Sequence, residues 1–312
     1  MPHVKIADKR LEYVWHGSGP GEAPTLVFLH EGLGCVAMWR DFPRRLAEAT
    51  ESGALVYSRA GYGNSDPAEL PRPVRFMHDE ALITLPQVLD AFAIREAILV
   101  GQSDGGSIAL IHAGADGHRN FHREDAKNTA DSISDKSISP SPKTVIRGLI
   151  LEAPHVFVEE VGLESIRAIA TDYRAAIVSV TSSERASPGR DAGRMPANRP
   201  QDAGAPSVLK QRLARYHGKN VDETFWGWND VWLNPEFRSW NIEEYLPQIS
   251  GPVLLIQGQD DQYGTLDQVK AIEAGCQAPV RTVLVPDCGH SPHIDQPART
   301  LEAMREFVEE VK

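Results

Sequence analysis

The most informative stretch of the chain is Ala97-Ile-Leu-Val-Gly-Gln-Ser103-Asp-Gly-Gly-Ser-Ile-Ala-Leu-Ile111. An apolar, β-branched run leads into Gly-x-Ser-x-Gly, and a second apolar segment of helical character follows it. Glycines permit a cramped turn between a strand and a helix, and such a turn lifts the serine hydroxyl above the sheet. The amide groups at the start of the helix favour negative charge that develops beside them. The stretch therefore predicts a strand, an exposed serine hydroxyl at residue 103 and a helix.

Strand-like runs alternate with helical patterns along the rest of the chain. Apolar residues three or four positions apart mark helices, as at Leu82, Leu85 and Leu89, and again over residues 301–311. Short, near-continuous apolar runs suit strands that are covered on both faces. These runs are residues 25–30, 54–58, 97–100, 145–151, 253–256 and 281–285. The alternation predicts an α/β fold with a doubly wound, mostly parallel sheet.

Three segments interrupt the alternation. Residues 119–143 are polar, and residues 182–207 are rich in Pro, Gly, Arg and Ala, so we expect flexible loops in both. Residues 156–245 combine helical patterning with an aromatic stretch that holds four of the six tryptophans. We expect this third segment to form a helical cap, inserted into a core built from residues 1–155 and 246–312.

A serine hydroxyl needs a base before it attacks a carbonyl group, and the C-terminal region supplies candidates. The last predicted strand is followed by Gly289-His290-Ser-Pro-His293. Imidazole exchanges protons near neutral pH, which suits it to act as a base and then as an acid. His290, directly after a glycine, is the preferred base, and His293 is the alternative.

The histidine in turn needs a carboxylate that orients it. The preceding strand runs into Gly258-Gln-Asp260-Asp261. The Gly-x-x-Asp spacing favours Asp261, with Asp260 as the alternative, and Glu152 at the end of another predicted strand is a third candidate. The chain order is then serine, aspartate, histidine.

These motifs resemble the α/β-hydrolase superfamily over nearly the whole chain. The resemblance rests on His30-Glu-Gly32-Leu-Gly34, Gly101-Gln-Ser103-Asp-Gly105, Gly258-Gln-Asp260-Asp261 and Gly289-His290. It implies an α/β-hydrolase fold with Ser103 as nucleophile, His290 as base and Asp261 as acid. It also implies an oxyanion hole formed by the backbone N–H groups of Gly32 and Asp104.

Glu31 departs from the superfamily pattern, which usually has glycine after this histidine. Together with Asp104 it places two carboxylates near a site that must stabilise an oxyanion, and inward-facing negative charges would oppose catalysis. We therefore expect one or both side chains to turn away or to pair with a cation. Arg40 and Arg59, from nearby loops, are the candidate partners.

The aromatic cap predicts a small apolar or aromatic substrate, since such rings provide a large contact area. We expect Trp226, Trp228 and Trp232 to contact it, together with Glu31 and His155. The expected activity is hydrolysis of a carboxylic ester or lactone through an acyl-enzyme on serine.

Other functions on the same scaffold stay open. A carbon–carbon bond hydrolase of the meta-cleavage-product type and a cofactor-free haloperoxidase share the triad. A non-enzymatic small-molecule binder or receptor is the alternative from another class. Haloalkane dehalogenases and most epoxide hydrolases use aspartate as nucleophile, whereas this chain has Ser103 in that position.

Composition restricts the remaining classes. The formal charge of −11 disfavours nucleic acid or an anionic membrane as partner. Three cysteines offer no disulfide framework, and HExxH and Walker A motifs are absent from the sequence, so we expect no metal and no cofactor. No run approaches the roughly 20 apolar residues of a membrane span. We expect a cytoplasmic protein with a small-molecule substrate; its oligomeric state is left open.

Overall fold

The computed structural model describes residues 1–118, 143–183 and 206–312 of the 312-residue chain. The flexible loops predicted at 119–143 and 182–207 lie outside these residues apart from their terminal positions.

An eight-stranded sheet forms the centre of the described structure, with the strand order β1-β2-β4-β3-β5-β6-β7-β8. The strands are β1 (His3–Ile6), β2 (Lys9–His16), β3 (Thr25–Leu29), β4 (Ala54–Tyr57), β5 (Glu96–Gln102), β6 (Val145–Glu152), β7 (Val253–Gly258) and β8 (Val280–Val285).

Six of these strands pair in parallel, and the two at one edge form antiparallel pairs. Strands β3 to β8 pair in parallel, whereas β1 pairs with β2 and β2 with β4 in antiparallel register. The predicted doubly wound, mostly parallel sheet is confirmed. The antiparallel pair at its edge was not predicted, since β1 and β2 mix charged and apolar residues and lack a continuous apolar run.

Helices cover both faces of the sheet. Successive side chains of a strand point to opposite faces, so Leu26 and Phe28 of β3 enter one apolar core and Val27 and Leu29 enter the other. Helices α1 and α10 pack in the first core, and α3, α4 and α8 contribute to the second. The helices outside the cap are α1 (Phe42–Thr50), α2 (Phe76–Asp79), α3 (Leu85–Ala91), α4 (Asp104–His118), α8 (Leu266–Gly275), α9 (Pro292–Asp295) and α10 (Pro297–Val311).

The described parts of the long connection from β6 to β7 are mainly helical. They contain α5 (Glu160–Ser183), α6 (Pro206–His217) and α7 (Val221–Trp232), followed by two short 3-10 helices. Two side chains of this region hold it to the loop after β4: Thr224 Oγ1 donates to the carbonyl of Gly61, and Asn220 Nδ2 donates to that of Ser65. The connection is the inserted helical cap that the sequence predicts. The division into units at 155/156 and 245/246 stays a prediction.

None of the helices in the described ranges combines the length and the apolar composition that a membrane crossing requires.

Candidate active site

The turn between β5 and α4 carries Ser103 in a constrained backbone conformation. Its φ angle is 50°, in a region that non-glycine residues rarely adopt. Neighbouring backbone leaves no room for side chains at the flanking glycines. A Cβ on Gly101 would lie 2.4 Å from the carbonyl oxygen of Gly105, and one on Gly105 would lie 2.0 Å from that of Leu29. The Gly-x-Ser-x-Gly spacing therefore reflects close packing of the turn against β3.

Asp261 and His290 form a hydrogen-bonded pair on adjacent loops. Nδ1 of His290 lies 2.8 Å from Oδ2 and 2.9 Å from Oδ1 of Asp261. The aspartate follows β7 and the histidine follows β8, so both lie at the carboxyl ends of parallel strands, as Ser103 does after β5. Neighbouring parallel strands end at the same edge of the sheet, which brings the three residues to one region.

Further donors fix the carboxylate of Asp261. Gln257 Nε2 donates to Oδ2 at 2.8 Å, and the backbone N–H of Tyr263 donates to Oδ1 at 2.8 Å. Burial alone would raise the pKa of Asp261, but the hydrogen bond and charge of His290, with the Tyr263 N–H, lower it below its usual value. The aspartate is therefore held ionised, ready to stabilise an imidazolium.

The third candidate acid, Glu152, pairs with the alternative base, His293, and not with His290. His293 Nδ1 and the His293 backbone N–H both contact Oε2 of Glu152, each at 2.9 Å. Both side chains are almost fully buried. Asp260 is exposed, and its backbone N–H donates to the carbonyl of Cys288. The geometry thus favours Asp261 over Asp260 as the partner of the base.

Two residues outside the preferred triad, Gln102 and Glu152, fasten the His290 loop to the serine turn. Gln102 Nε2 donates to the His290 carbonyl at 3.1 Å and to Ser291 Oγ at 2.9 Å. Glu152 accepts the Ser103 N–H through its backbone carbonyl at 2.9 Å and holds His293 with its side chain. The position of Gln102 beside the serine was the available signal for the first residue. The contact of Glu152 with His293 is visible only in the tertiary structure.

A cavity of about 480 Å³ extends over the serine turn and under the cap. Ser103 and His290 line it together, next to Tyr263, whose ring centroid lies 4.8 Å from that of His290. Of the residues predicted to bind substrate or to form the oxyanion hole, the cavity is lined by Glu31, Gly32, Asp104, His155, Trp228 and Trp232.

Trp226 lies elsewhere. It is not among the residues that line this cavity, and its ring makes edge contacts with Tyr173 and Phe225 at centroid distances of 5.4 and 4.9 Å. The guanidinium of Arg174 lies over its ring. Within the described residues Trp226 packs α7 against α5, because the helical period turns it away from the face that carries Trp228 and Trp232. The expected substrate contact of Trp226 is therefore corrected to a packing role.

The two predicted oxyanion donors border the cavity. Asp104 is the first residue of α4, so its amide belongs to the helix N-terminus, where backbone N–H groups lack partners within the helix. Gly32 lies on the loop after β3 directly beneath Trp228, and a Cβ added at Gly32 would come within 2.1 Å of the indole Nε1. Any larger residue at position 32 would collide with this tryptophan.

The expected pairing of Glu31 or Asp104 with an arginine is not found, because neither forms an ion pair with an arginine of the described residues, and both residues line the cavity. Asp104 Oδ1 accepts from Trp232 Nε1 at 3.2 Å, and Arg59 donates to the backbone carbonyl of Glu31 at 3.0 Å. Burial raises the pKa of both carboxyls, while the nearby charge of Arg59 opposes the rise. The partner of the Asp104 carboxyl is therefore an indole N–H and not a cation.

His155 is a neutral imidazole beside the base. Its ring centroid lies 5.5 Å from that of His290 and 5.4 Å from that of Trp232. Burial and the charge of His290 lower the pKa of His155 to about 3. It therefore presents an uncharged hydrogen-bonding ring to the cavity near neutral pH.

The described residues hold no group of three or more His, Cys, Asp or Glu side chains placed to share a metal ion.

Comparison with known proteins identifies the family. The family model described as the alpha/beta hydrolase family matches residues 26–303. The chain belongs to this family, which confirms the resemblance drawn from its motifs.

Individual relatives are more distant. A putative carbamate hydrolase, RutD of Stutzerimonas stutzeri (strain A1501), is 34% identical over 101 residues, which cover 32% of this chain and about a third (36%) of that relative. The thermophilic esterase of Thermogutta terrifontis has a TM-score of 0.63 at 19% identity, covering 100% of this chain and 99% of the esterase. The enol-lactonase of Burkholderia xenovorans LB400 has a TM-score of 0.64 at 17% identity, covering 99% and 100%. The two structural likenesses show the fold.

Proposed function

We propose that this protein is a serine hydrolase that cleaves a carboxylic ester or lactone through an acyl-enzyme on Ser103. The observation that carries the proposal is the Asp261–His290 pair, which faces the same cavity as the serine hydroxyl. Membership of a hydrolase family supports it. The similar proteins include an esterase, an enol-lactonase and a putative carbamate hydrolase, which supports attack at an acyl carbonyl.

The first half of the reaction acylates the serine. His290 removes the hydroxyl proton as Ser103 attacks the carbonyl carbon, and Asp261 stabilises the imidazolium that forms. The backbone N–H groups of Gly32 and Asp104 stabilise the oxyanion of the tetrahedral intermediate. The carbon–oxygen bond to the leaving group breaks, and His290 returns the proton to the departing alkoxide.

The second half releases the acid. His290 now removes a proton from water, the resulting hydroxide attacks the acyl carbonyl, and a second tetrahedral intermediate forms in the same oxyanion hole. Collapse of this intermediate breaks the bond to Ser103 Oγ, which takes the proton back from His290. In a lactone the leaving alkoxide stays attached to the acyl group, and the product is a hydroxy acid.

The cavity walls favour a small substrate with an apolar part. Aliphatic residues from α5 and α6 line part of the cavity, namely Ile166, Ile169, Leu209 and Leu213. Trp228 and Trp232 add aromatic area near Gly32 and Asp104. Neutral His155 can hydrogen-bond a substrate oxygen without adding charge.

Turnover of a p-nitrophenyl ester tests the proposal. Ser103→Ala should lower kcat by a factor on the order of 10⁴–10⁶ while the cavity still binds the ester. Ser239→Ala, at an exposed serine of the cap, is the matched control and should keep wild-type activity. Binding of the ester without any turnover by the wild type would favour a non-enzymatic binder instead.

A further inference from the structure

A second cavity, of about 300 Å³, adjoins the first. The two cavities share part of their lining and therefore lie side by side. The shared residues are Glu31, Met38, Arg212, Tyr216, Ser291 and Ile294. His293 and Trp39 form a buried wall of the second cavity, with ring centroids 4.5 Å apart.

Three arginines line this second cavity: Arg40, Arg212 and Arg215. Arg212 and Arg215 are three positions apart on α6, so they project from one face of that helix. Arg40 approaches from the loop after β3, with a φ angle of 54° and a ψ angle of −128°. A non-glycine residue in such a conformation is held there by its surroundings. The cap, through Arg212 and Arg215, and the core, through Arg40, thus place three cations at one cavity.

None of the three arginines that line this cavity forms an ion pair within the described residues. Several other arginines of the described surface do pair with carboxylates, for example Arg147 with Glu96 at 2.6 Å and Arg75 with Asp79 at 2.7 Å. The chain carries a formal charge of −11, so carboxylates outnumber the cations that can pair with them. Three guanidinium groups left together at a cavity are therefore suited to an external anion.

We propose that the second cavity binds a carboxylate carried by the substrate, while the ester or lactone carbonyl of the same molecule lies at Ser103. Guanidinium groups bind carboxylates through parallel, charge-assisted hydrogen bonds. Glu31 lines both cavities, and burial raises the pKa of its carboxyl. The inference rests on the proposed function and adds a substrate class: carboxylate-bearing esters or lactones.

Matched substrates that differ in one charge test the proposal. One series consists of p-nitrophenyl monoesters of succinic, glutaric, adipic and suberic acids, each compared with its terminal carboxamide. A second series compares butyryl esters of 4-hydroxybenzoic acid and 4-hydroxybenzamide, so that the leaving group carries the charge. In at least one series the carboxylate should be preferred in kcat/KM by about tenfold or more. Added salt should reduce the preference, since the arginines are exposed.

Variants locate the preference. Arg212→Gln and Arg215→Gln should each reduce the ratio of carboxylate to carboxamide kcat/KM by about tenfold, while kcat/KM for the carboxamide changes little. Arg212→Lys should restore part of the ratio by keeping the charge. Arg174→Gln removes the same charge from the cap at a position outside both cavities, and it should leave the ratio unchanged.

Binding of glutaric acid mono-anilide, an amide analogue, is measured by calorimetry and separates this inference from the proposed function. Weaker binding to the Arg212→Gln/Arg215→Gln variant supports the anion site even if the wild type hydrolyses no ester. Equal kcat/KM for carboxylate and carboxamide in both series would overturn the anion site while leaving the serine hydrolase intact. Equal loss of the ratio in Arg174→Gln would also overturn it, because the effect would then follow from net charge alone.

Discussion

The imidazole of His290 and the carboxylate of Asp261, 29 residues apart in the chain, are joined by contacts of 2.8 and 2.9 Å at Nδ1. Gln257 and the Tyr263 backbone bind the same carboxylate, so it cannot rotate away from the histidine without losing two further hydrogen bonds. This arrangement leaves Nε2 as the remaining ring nitrogen of the histidine. The proposed role of His290 as the base for Ser103 depends on that orientation.

Asp261→Asn should reduce kcat for ester hydrolysis by about 10⁴, because an amide favours the wrong tautomer of His290 and does not stabilise imidazolium. The measurement is steady-state turnover of a p-nitrophenyl ester. Asp260→Asn is the matched control, since the Asp260 side chain is exposed and only its backbone N–H is bonded. A larger loss in Asp260→Asn than in Asp261→Asn would show that the acid is misassigned.

The Glu152–His293 pair should hold the His290 loop in place. Glu152→Gln should reduce the free energy of unfolding by about 1–3 kcal/mol, since it weakens charge-assisted hydrogen bonds of a fully buried group. It should also lower kcat, because the loop with His290 loses an anchor. In a double-mutant cycle with His293→Gln, denaturant unfolding should give a coupling energy of about 0.5–3 kcal/mol. Additive effects would show that the two side chains act independently.

Trp232→Phe should destabilise the protein by about 1–3 kcal/mol, because it removes the N–H that Asp104 Oδ1 accepts and leaves a buried carboxyl with fewer partners. Trp240→Phe is matched to it. The Trp240 ring packs in the same aromatic cluster, and its Nε1 makes no hydrogen bond in the described structure. Thermal unfolding should show a smaller loss for Trp240→Phe. Equal losses would assign the effect to ring packing alone.

His217 should make the cap sensitive to acid. It accepts from the Gly63 N–H through Nδ1 and donates to the Leu33 carbonyl through Nε2, and burial lowers its pKa to about 4. At pH values between about 6.5, the pKa of histidine in the unfolded chain, and about 4, the unfolded chain binds more protons than the folded chain. The stabilisation that neutral His217 contributes is therefore complete above about pH 6.5 and is lost as the pH falls through this range. Over this range the protonation of His217 should lower the free energy of unfolding by about 3 kcal/mol.

The variant His217→Gln keeps one acceptor and one donor without titrating. Its free energy of unfolding should therefore fall less steeply than that of the wild type between about pH 6.5 and about pH 4. Other histidines with lowered pKa, such as His30 and His155, remain in both proteins, so the difference isolates His217. Identical slopes would show that protonation of His217 is not linked to folding.

The parallel strands and the serine turn could be predicted because each is marked by residues that are neighbours in the sequence. Apolar runs mark strands buried on both faces, and glycines around Ser103 reflect contacts too close for any side chain. The edge strands β1 and β2 were not predicted, because half-exposed strands mix polar and apolar residues.

Side-chain partners were harder to predict. The spacing favoured Asp261, and in the structure its carboxylate lies within hydrogen-bond distance of His290. No local feature of the sequence indicated that Glu152 and His293, 141 residues apart, would pair with each other. Trp226 illustrates the same limit, because a tryptophan-rich stretch does not reveal which face of its helix meets the cavity. The three arginines of the second cavity come from two distant segments, and only the tertiary fold shows that they converge.

Labelling with a fluorophosphonate tests the central claim most directly. Intact-mass analysis should show one covalent adduct per chain, peptide mapping should place it on Ser103, and Ser103→Ala should take up none. His290→Ala should react far more slowly because the hydroxyl then lacks its base. An adduct on another residue, or equal labelling of Ser103→Ala, would contradict Ser103 as the nucleophile.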